Sequence, residues 1–62
     1  MSGVLDFRDY LGRTPLHHAA ISNNEDSATC LLTLGANPHI EDGSGHRPID
    51  YLDSYSKIAK IL

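Results

Sequence analysis

The sequence predicts an all-α protein, a stack of helix-turn-helix units forming a short α-solenoid with a hairpin-like loop between the units. Three observations carry that expectation. GRTPLH at residues 12–17 is echoed by HRPID at residues 46–50, and their prolines, Pro15 and Pro48, stand 33 positions apart. Each proline is preceded by turn-forming residues and followed by an apolar set at helical spacing. Between the copies lies ANPHIEDGSGH, residues 36–46, rich in turn formers and poor in apolar residues. A self-similar unit of this length reads as turn, helix, helix.

The first helix is expected over residues 15–22. Thr14 caps it and Pro15 occupies the first helical position, where no amide bond is lost. Leu16, Ala19 and Ala20 then share one buried face. Asn23 and Asn24 end the helix, since Asn tolerates the left-handed conformation that stops one. The second helix runs from Glu25 to Leu34, with its acids at the positive end of the helix dipole. Ala28, Leu31 and Leu32 make its inward stripe with Cys30 beside them, and Gly35 is the stop. The Asp42-Gly43 step marks a tight turn. A third helix is expected over residues 48–54 with Ile49 and Leu52 inward. The fourth spans Ser56 to Leu62 and repeats the second-helix pattern with Ile58, Ala59, Ile61 and Leu62. The second copy is shorter: Pro48 to Leu62 spans 14 positions where Pro15 to Leu32 spans 17.

A 62-residue chain makes one domain at most. Such a chain buries about 60% of its unfolded surface, so its stability is marginal. Cys30 is the only cysteine, which rules out an internal disulfide and suits a reducing compartment. The net charge of −3 comes without any Lys/Arg run, which argues against nucleic acid as a partner. Apolar runs fall far short of the ~20 residues that cross a bilayer, and the N-terminus lacks a signal-peptide pattern. The expected setting is intracellular, cytoplasmic or nuclear, with no membrane insertion.

No catalytic constellation and no cofactor are expected. Ser54-Tyr55-Ser56-Lys57 contains S-x-x-K, a weak motif without its companions. Gly43-Ser44-Gly45 is too short to cradle phosphate, and Cys30, within a leucine-rich helix, reads as a buried inert thiol. Four histidines invite a metal. His17 and His18 point about 100° apart on a helix, and His39 and His46 flank Asp42 without recognised zinc spacing. Metal binding is therefore not expected.

Asp9, Gly12, Thr14, Pro15, Leu16, His17, Ala19 and Ala20, followed by Leu31, Leu32, Gly35, Ala36 and Asn37, reproduce a pattern. With it the sequence resembles the ankyrin repeat, whose motif reads D-x-x-G-x-T-P-L-H-x-A-A, a second helix ending in L-L, then G-A-N or G-A-D. The resemblance makes residues 9–41 one full repeat and residues 42–62 a degenerate or truncated second one. Residues 1–8 read as the tail of a preceding repeat or a vector-derived leader. In the family, the Thr and His of the motif hydrogen-bond within and between neighbouring turns, so Thr14, Pro15, Leu16, His17 and Gly35 are given structural roles. The second copy has Arg47 in place of the Thr and Asp50 in place of the His.

What the resemblance implies for function is protein binding without chemistry. Partners of such repeats are gripped by hairpin tips and by the exposed side of the first helices. Those positions here are Tyr10, Leu11, Arg13, Ile21 and Ser22 in the first copy, and Glu41, Gly43, Ser44 and His46 across the loop. Tyr and Arg are the types enriched in binding hot spots. A second expectation is structural: the chain caps a longer array, with Arg47, Asp50, Lys57 and Lys60 keeping its last unit soluble. Leu11 would then pack on a preceding repeat, or on a second copy through the Leu5–Leu11 end.

Overall fold

The structure, a computed structural model, describes residues 6–62. Residues 1–5, including Leu5 and most of the expected leader, lie outside the described residues. Among the described residues, three α-helices and one 3-10 segment follow in order: α1 at Pro15–Ile21, α2 at Glu25–Thr33, the 3-10 segment at Pro48–Tyr51, and α3 at Lys57–Ile61.

Local chemistry accounts for the first pair. The Thr14 hydroxyl accepts from the His17 amide at 3.4 Å, and His17 Nδ1 accepts in return from the Thr14 amide at 3.1 Å. This reciprocal cap satisfies helix-start amides that have no partner inside the helix. Both helices then end in the same motif. Asn23 and Asn24 donate to the Ala20 and Ala19 carbonyls, as Gly35 and Ala36 do to those of Leu32 and Leu31. The residue that reverses the chain has positive φ each time, 53° at Asn23 and 98° at Gly35. Asn24 also caps α2 by accepting from the Ser27 amide at 3.2 Å. The link between the helices is thus a stop signal followed at once by a start signal, and α1 and α2 pack as a hairpin.

The second copy departs from expectation. The helix expected over 48–54 is a single 3-10 turn that ends at Tyr51, with Leu52 already extended. A competing turn explains the early stop. Asp53 accepts the Tyr55 amide on its carboxylate at 3.1 Å and the Ser56 amide on its carbonyl at 3.2 Å. Local Asp bonds of this kind offer the backbone an alternative to helix. Ser56 then caps α3 by accepting from the Ile58 amide. The start of the copy survives its substitutions, because Asp50 accepts from the Arg47 amide at 2.8 Å in the role of His17.

The 3-10 segment lies on α1 and α3 lies on α2, so the second copy stacks on the first like on like. Leu16, Ala19, Ala28, Ala36 and Ile58 form the core, with Leu31, Leu32, Leu52 and Leu62 packed against it. Two expected inward residues are elsewhere. Cys30 is exposed rather than buried, because it stands two residues from Ala28, about 200° round the helix from the inward face. Ile61 is 46% exposed, on the outer edge of α3.

Three of the five core residues are alanines, so its two fully buried large aliphatic side chains, Leu16 and Ile58, carry most of its apolar burial. Ile58→Ala is expected to cost about 2–5 kcal/mol. That compares with roughly 3–9 kcal/mol in total for a chain this long. Ile61→Ala should cost under about 1 kcal/mol. Urea titrations of the two variants followed by circular dichroism check this; equal midpoints would mean that α3 is not docked through Ile58.

Candidate functional site

Two hydrogen-bond networks, each centred on an aspartate, lie at the loop tips that precede Pro15 and Pro48. Asp9 organises the first. Its Oδ1 accepts from the Leu11 and Arg13 amides at 2.9 and 3.0 Å, and its Oδ2 accepts from His18 Nε2 at 2.7 Å. Its amide donates to the Arg13 carbonyl, and its carbonyl accepts from Gly12. Asp42 organises the second tip the same way, 33 residues on. Its Oδ1 accepts from the Ser44 and His46 amides at 2.9 and 3.0 Å, and its Oδ2 accepts from the Tyr51 hydroxyl. Its amide donates to the His46 carbonyl, and its carbonyl accepts from Gly45. Asx turns of this kind are favoured because the carboxylate satisfies amides a tight turn leaves unpaired.

Three contacts lock the tips together. The Gly43 amide donates to the Leu11 carbonyl at 2.9 Å. A Cβ on Gly12, whose φ is +78°, would stand 2.6 Å from that amide nitrogen, so only glycine permits the approach. Next, buried His17 uses both ring nitrogens. Nδ1 accepts from Thr14, and Nε2 donates to the His46 carbonyl at 2.8 Å. Finally, Arg13 lays its guanidinium over the Tyr51 ring, 5.6 Å from the centroid, with Nε 4.0 Å from Asp42 Oδ2. His17 and His46 meet the same ring edge-on at 6.1 and 5.6 Å.

These contacts set the titration of the site. The Tyr51 hydroxyl and the His46 and Ser44 amides stabilise the Asp42 carboxylate and outweigh its burial, lowering its pKa to about 2. The same bond to Asp42, with burial, raises Tyr51 above the usual tyrosine value. Asp9 is lowered chiefly by its bond to the Arg13 amide, with help from His18 and Leu11 against burial.

The residues singled out from sequence do not form one patch. Tyr10 is 94% exposed and Leu11 43% exposed at the first tip. Both line a cleft of about 550 Å³ that reaches Ser44 at the second tip. Glu41 and His46 are exposed on the same loop. Arg13 is folded back onto Tyr51, with 30% of its side chain in solvent. Ile21 and Ser22 sit on the opposite end of α1 and line two other clefts. Sequence reasoning passed over Tyr51 and the carboxylate role of Asp42. The available signal was the 33-residue register, which pairs Asp42 with Asp9 and Tyr51 with His18. Among the described residues no group of three His, Cys, Asp or Glu is placed to hold a metal ion, and no helix is long and apolar enough to cross a membrane.

Turn, helix, helix, repeated after 33 residues with tips stacked on tips, defines a helical repeat-stack protein. The chain belongs to the ankyrin repeat family, whose sequence profile matches residues 11–43. It is 56% identical over 41 residues to the ADP-ribosylation factor GTPase-activating protein AGD2 of Arabidopsis thaliana, covering 66% of the chain and 5% of that protein. It is 40% identical over 45 residues to human NF-kappa-B inhibitor alpha, covering 73% and 14%. A putative ankyrin repeat protein of Neisseria meningitidis is 35% identical over 63 residues, covering 98% and 25%. The chain thus spans about 5–25% of the length of these curated relatives. Ankyrin repeats are generally non-enzymatic and mediate protein binding.

Folding lowers the Asp42 pKa from 3.8 to about 2. Its stabilisation is therefore whole above about pH 4 and is lost as pH falls through about 2. Tyr51→Phe removes the largest cause of that shift. The fall in melting temperature between about pH 4 and pH 2 should be shallower in this variant than in the unaltered chain. Parallel profiles would assign the acid sensitivity to other carboxylates.

Proposed function

We propose that the chain is a non-catalytic protein-binding module whose contact surface is the pair of stacked tips, centred on Tyr10 and Leu11 with Glu41, Ser44 and His46 beside them. The observation that carries this reading is Tyr10: an aromatic side chain 94% exposed on a turn in which Asp9 accepts from the Leu11, Gly12 and Arg13 amides. An ordered turn loses little conformational entropy on binding, and an aromatic anchor offers large contact area. Arg13 serves this surface indirectly, by holding the second tip through Tyr51 and Asp42. Ile21 and Ser22 belong to a separate edge. Two relatives name protein targets, ADP-ribosylation factor and NF-kappa-B, which supports a protein as the ligand class. An intracellular setting, cytoplasmic or nuclear, fits an exposed, unpaired Cys30.

A specific observation favours a second reading, a C-terminal cap on a longer array with the partner bound elsewhere. Asp50 occupies the position of His17, so the outer face of the second copy lacks the donor that the first copy uses to hold its neighbour. The exposed charges of Arg47, Asp50, Lys57 and Lys60 fit an end that faces water. The matching turns at Asp9 and Asp42 support unit limits of 9–41 and 42–62.

A photo-crosslinking residue at Tyr10 should trap a defined protein that the same residue at Thr29, on α2, does not. Tyr10→Ala with Leu11→Ala should lower capture of that protein at least ~10-fold. The melting temperature should move by only a few degrees, roughly as for other exposed substitutions. Equal capture from both positions would remove the tips as the contact surface.

A further inference from the structure

α1 runs on to Ile21, whereas the 3-10 segment stacked on it stops at Tyr51, which the 33-residue register pairs with His18. The last turn of α1 therefore has no helical turn opposite it. Residues 52–56 pass it as an irregular segment, extended at Leu52 and then turned by Asp53, which accepts from the Tyr55 and Ser56 amides. A cleft of about 500 Å³ opens there, at the end of α1 away from the tips. Its apolar lining comes from Ala20 and Ile58, both buried, and from the more open Ile21 and Leu52. The charge around it is unbalanced. Glu25, in the first turn of α2, and Asp53 bring two exposed carboxylates, and Lys57 brings one ammonium. Among the described residues, Lys57 forms no ion pair with either. Asp53 gives Oδ1 to the Tyr55 amide, and a carboxylate has room for further donors on its second oxygen. The Tyr55 ring, 89% exposed, lines the same cleft.

We infer that this cleft takes an arginine side chain from a basic segment of a partner protein. The aliphatic stem lies along Ile21 and Leu52, the guanidinium reaches Glu25 and Asp53, and the Tyr55 ring stacks on it. Charge complementarity selects the occupant: two carboxylates stand against one ammonium at the cleft, within a chain of net charge −3. An acidic segment would meet the two carboxylates, and a second copy of this chain would bring the same −3. Arginine suits the cleft better than lysine, because a planar guanidinium both stacks on an aromatic ring and spans two carboxylates. The surface is made by the shortening of the second copy and is separate from Tyr10 and Leu11, so its failure leaves the tip reading standing.

The probe is N-acetyl-arginine methylamide, titrated into the isotope-labelled full chain and followed by amide NMR shifts. Shifts at Ile21, Glu25 and residues 52–58 should saturate in the millimolar range, with residues 9–13 and 42–46 little moved. N-acetyl-norleucine methylamide, with a similar stem and no charge, should bind at least ~3-fold more weakly. Glu25→Gln with Asp53→Asn should weaken the arginine probe by about the same factor, and Lys57→Gln should strengthen it. Asn keeps the acceptor for the Tyr55 amide, and the undisturbed tip signals report that each variant is folded. Equal saturation by norleucine, or indifference to all three substitutions, overturns the cation. Saturation of the same amides by N-acetyl-glutamate methylamide overturns its sign. Shifts that never saturate, or that saturate elsewhere on the chain, overturn the cleft as the site.

Discussion

His17 is where the helix start, the core and the second tip meet. Its ring is fully buried, and each nitrogen has a different duty: Nδ1 accepts from Thr14 and closes the cap of α1, while Nε2 donates to the His46 carbonyl across the junction. A buried polar ring is costly unless both nitrogens are satisfied. The sequence must therefore supply Thr14 before it and a carbonyl at the right height opposite it. With both in place, one side chain fixes the start of the first helix and the position of the following turn. The stack depends on that coupling, because the apolar core alone is thin and three of its five residues are alanine.

Around this bond the junction is polar rather than oily. Arg13, His17 and His46 surround the Tyr51 ring, whose hydroxyl neutralises much of the burden of the Asp42 carboxylate. Directional contacts of this kind set register, where an apolar contact between small side chains would tolerate sliding. The glycine contact between Gly12 and Gly43 adds a steric limit to the same register. The tips are consequently held as one surface, and Tyr10 and Leu11 project from a turn that Asp9 ties through the Leu11, Gly12 and Arg13 amides. Exposure of large apolar groups on such a surface is tolerable for a binding protein and costly for a chain that binds nothing.

Much of this was legible along the chain. Thr14-Pro15 announces the start of α1, Asn23-Asn24 and Gly35 announce the stops, and the 33-residue echo announces the stack, because caps and left-handed stops are local chemistry written in adjacent residues. The second copy was harder to read: its third helix was expected to reach residue 54 and stops at Tyr51, since the Asp53 turn competes with helix over the same few residues. The placement of Cys30 failed for another reason. Composition of a helix does not say which face it turns inward, and Cys30 lies off the Ala28–Leu31–Leu32 stripe.

What the sequence by itself determined is the unit: its length, its two helices, their caps and stops, and the family to which it belongs. Only the tertiary structure decided which groups meet across the junction. Arg13 reads in the sequence as a free contact residue, yet it folds onto Tyr51, 38 positions away, with its Nε 4.0 Å from Asp42. The physical reason is distance along the chain. Capping and turn bonds join residues within a few positions, whereas the partners of a buried carboxylate, an arginine and an aromatic ring are chosen by stacking, which brings together residues that share no local pattern.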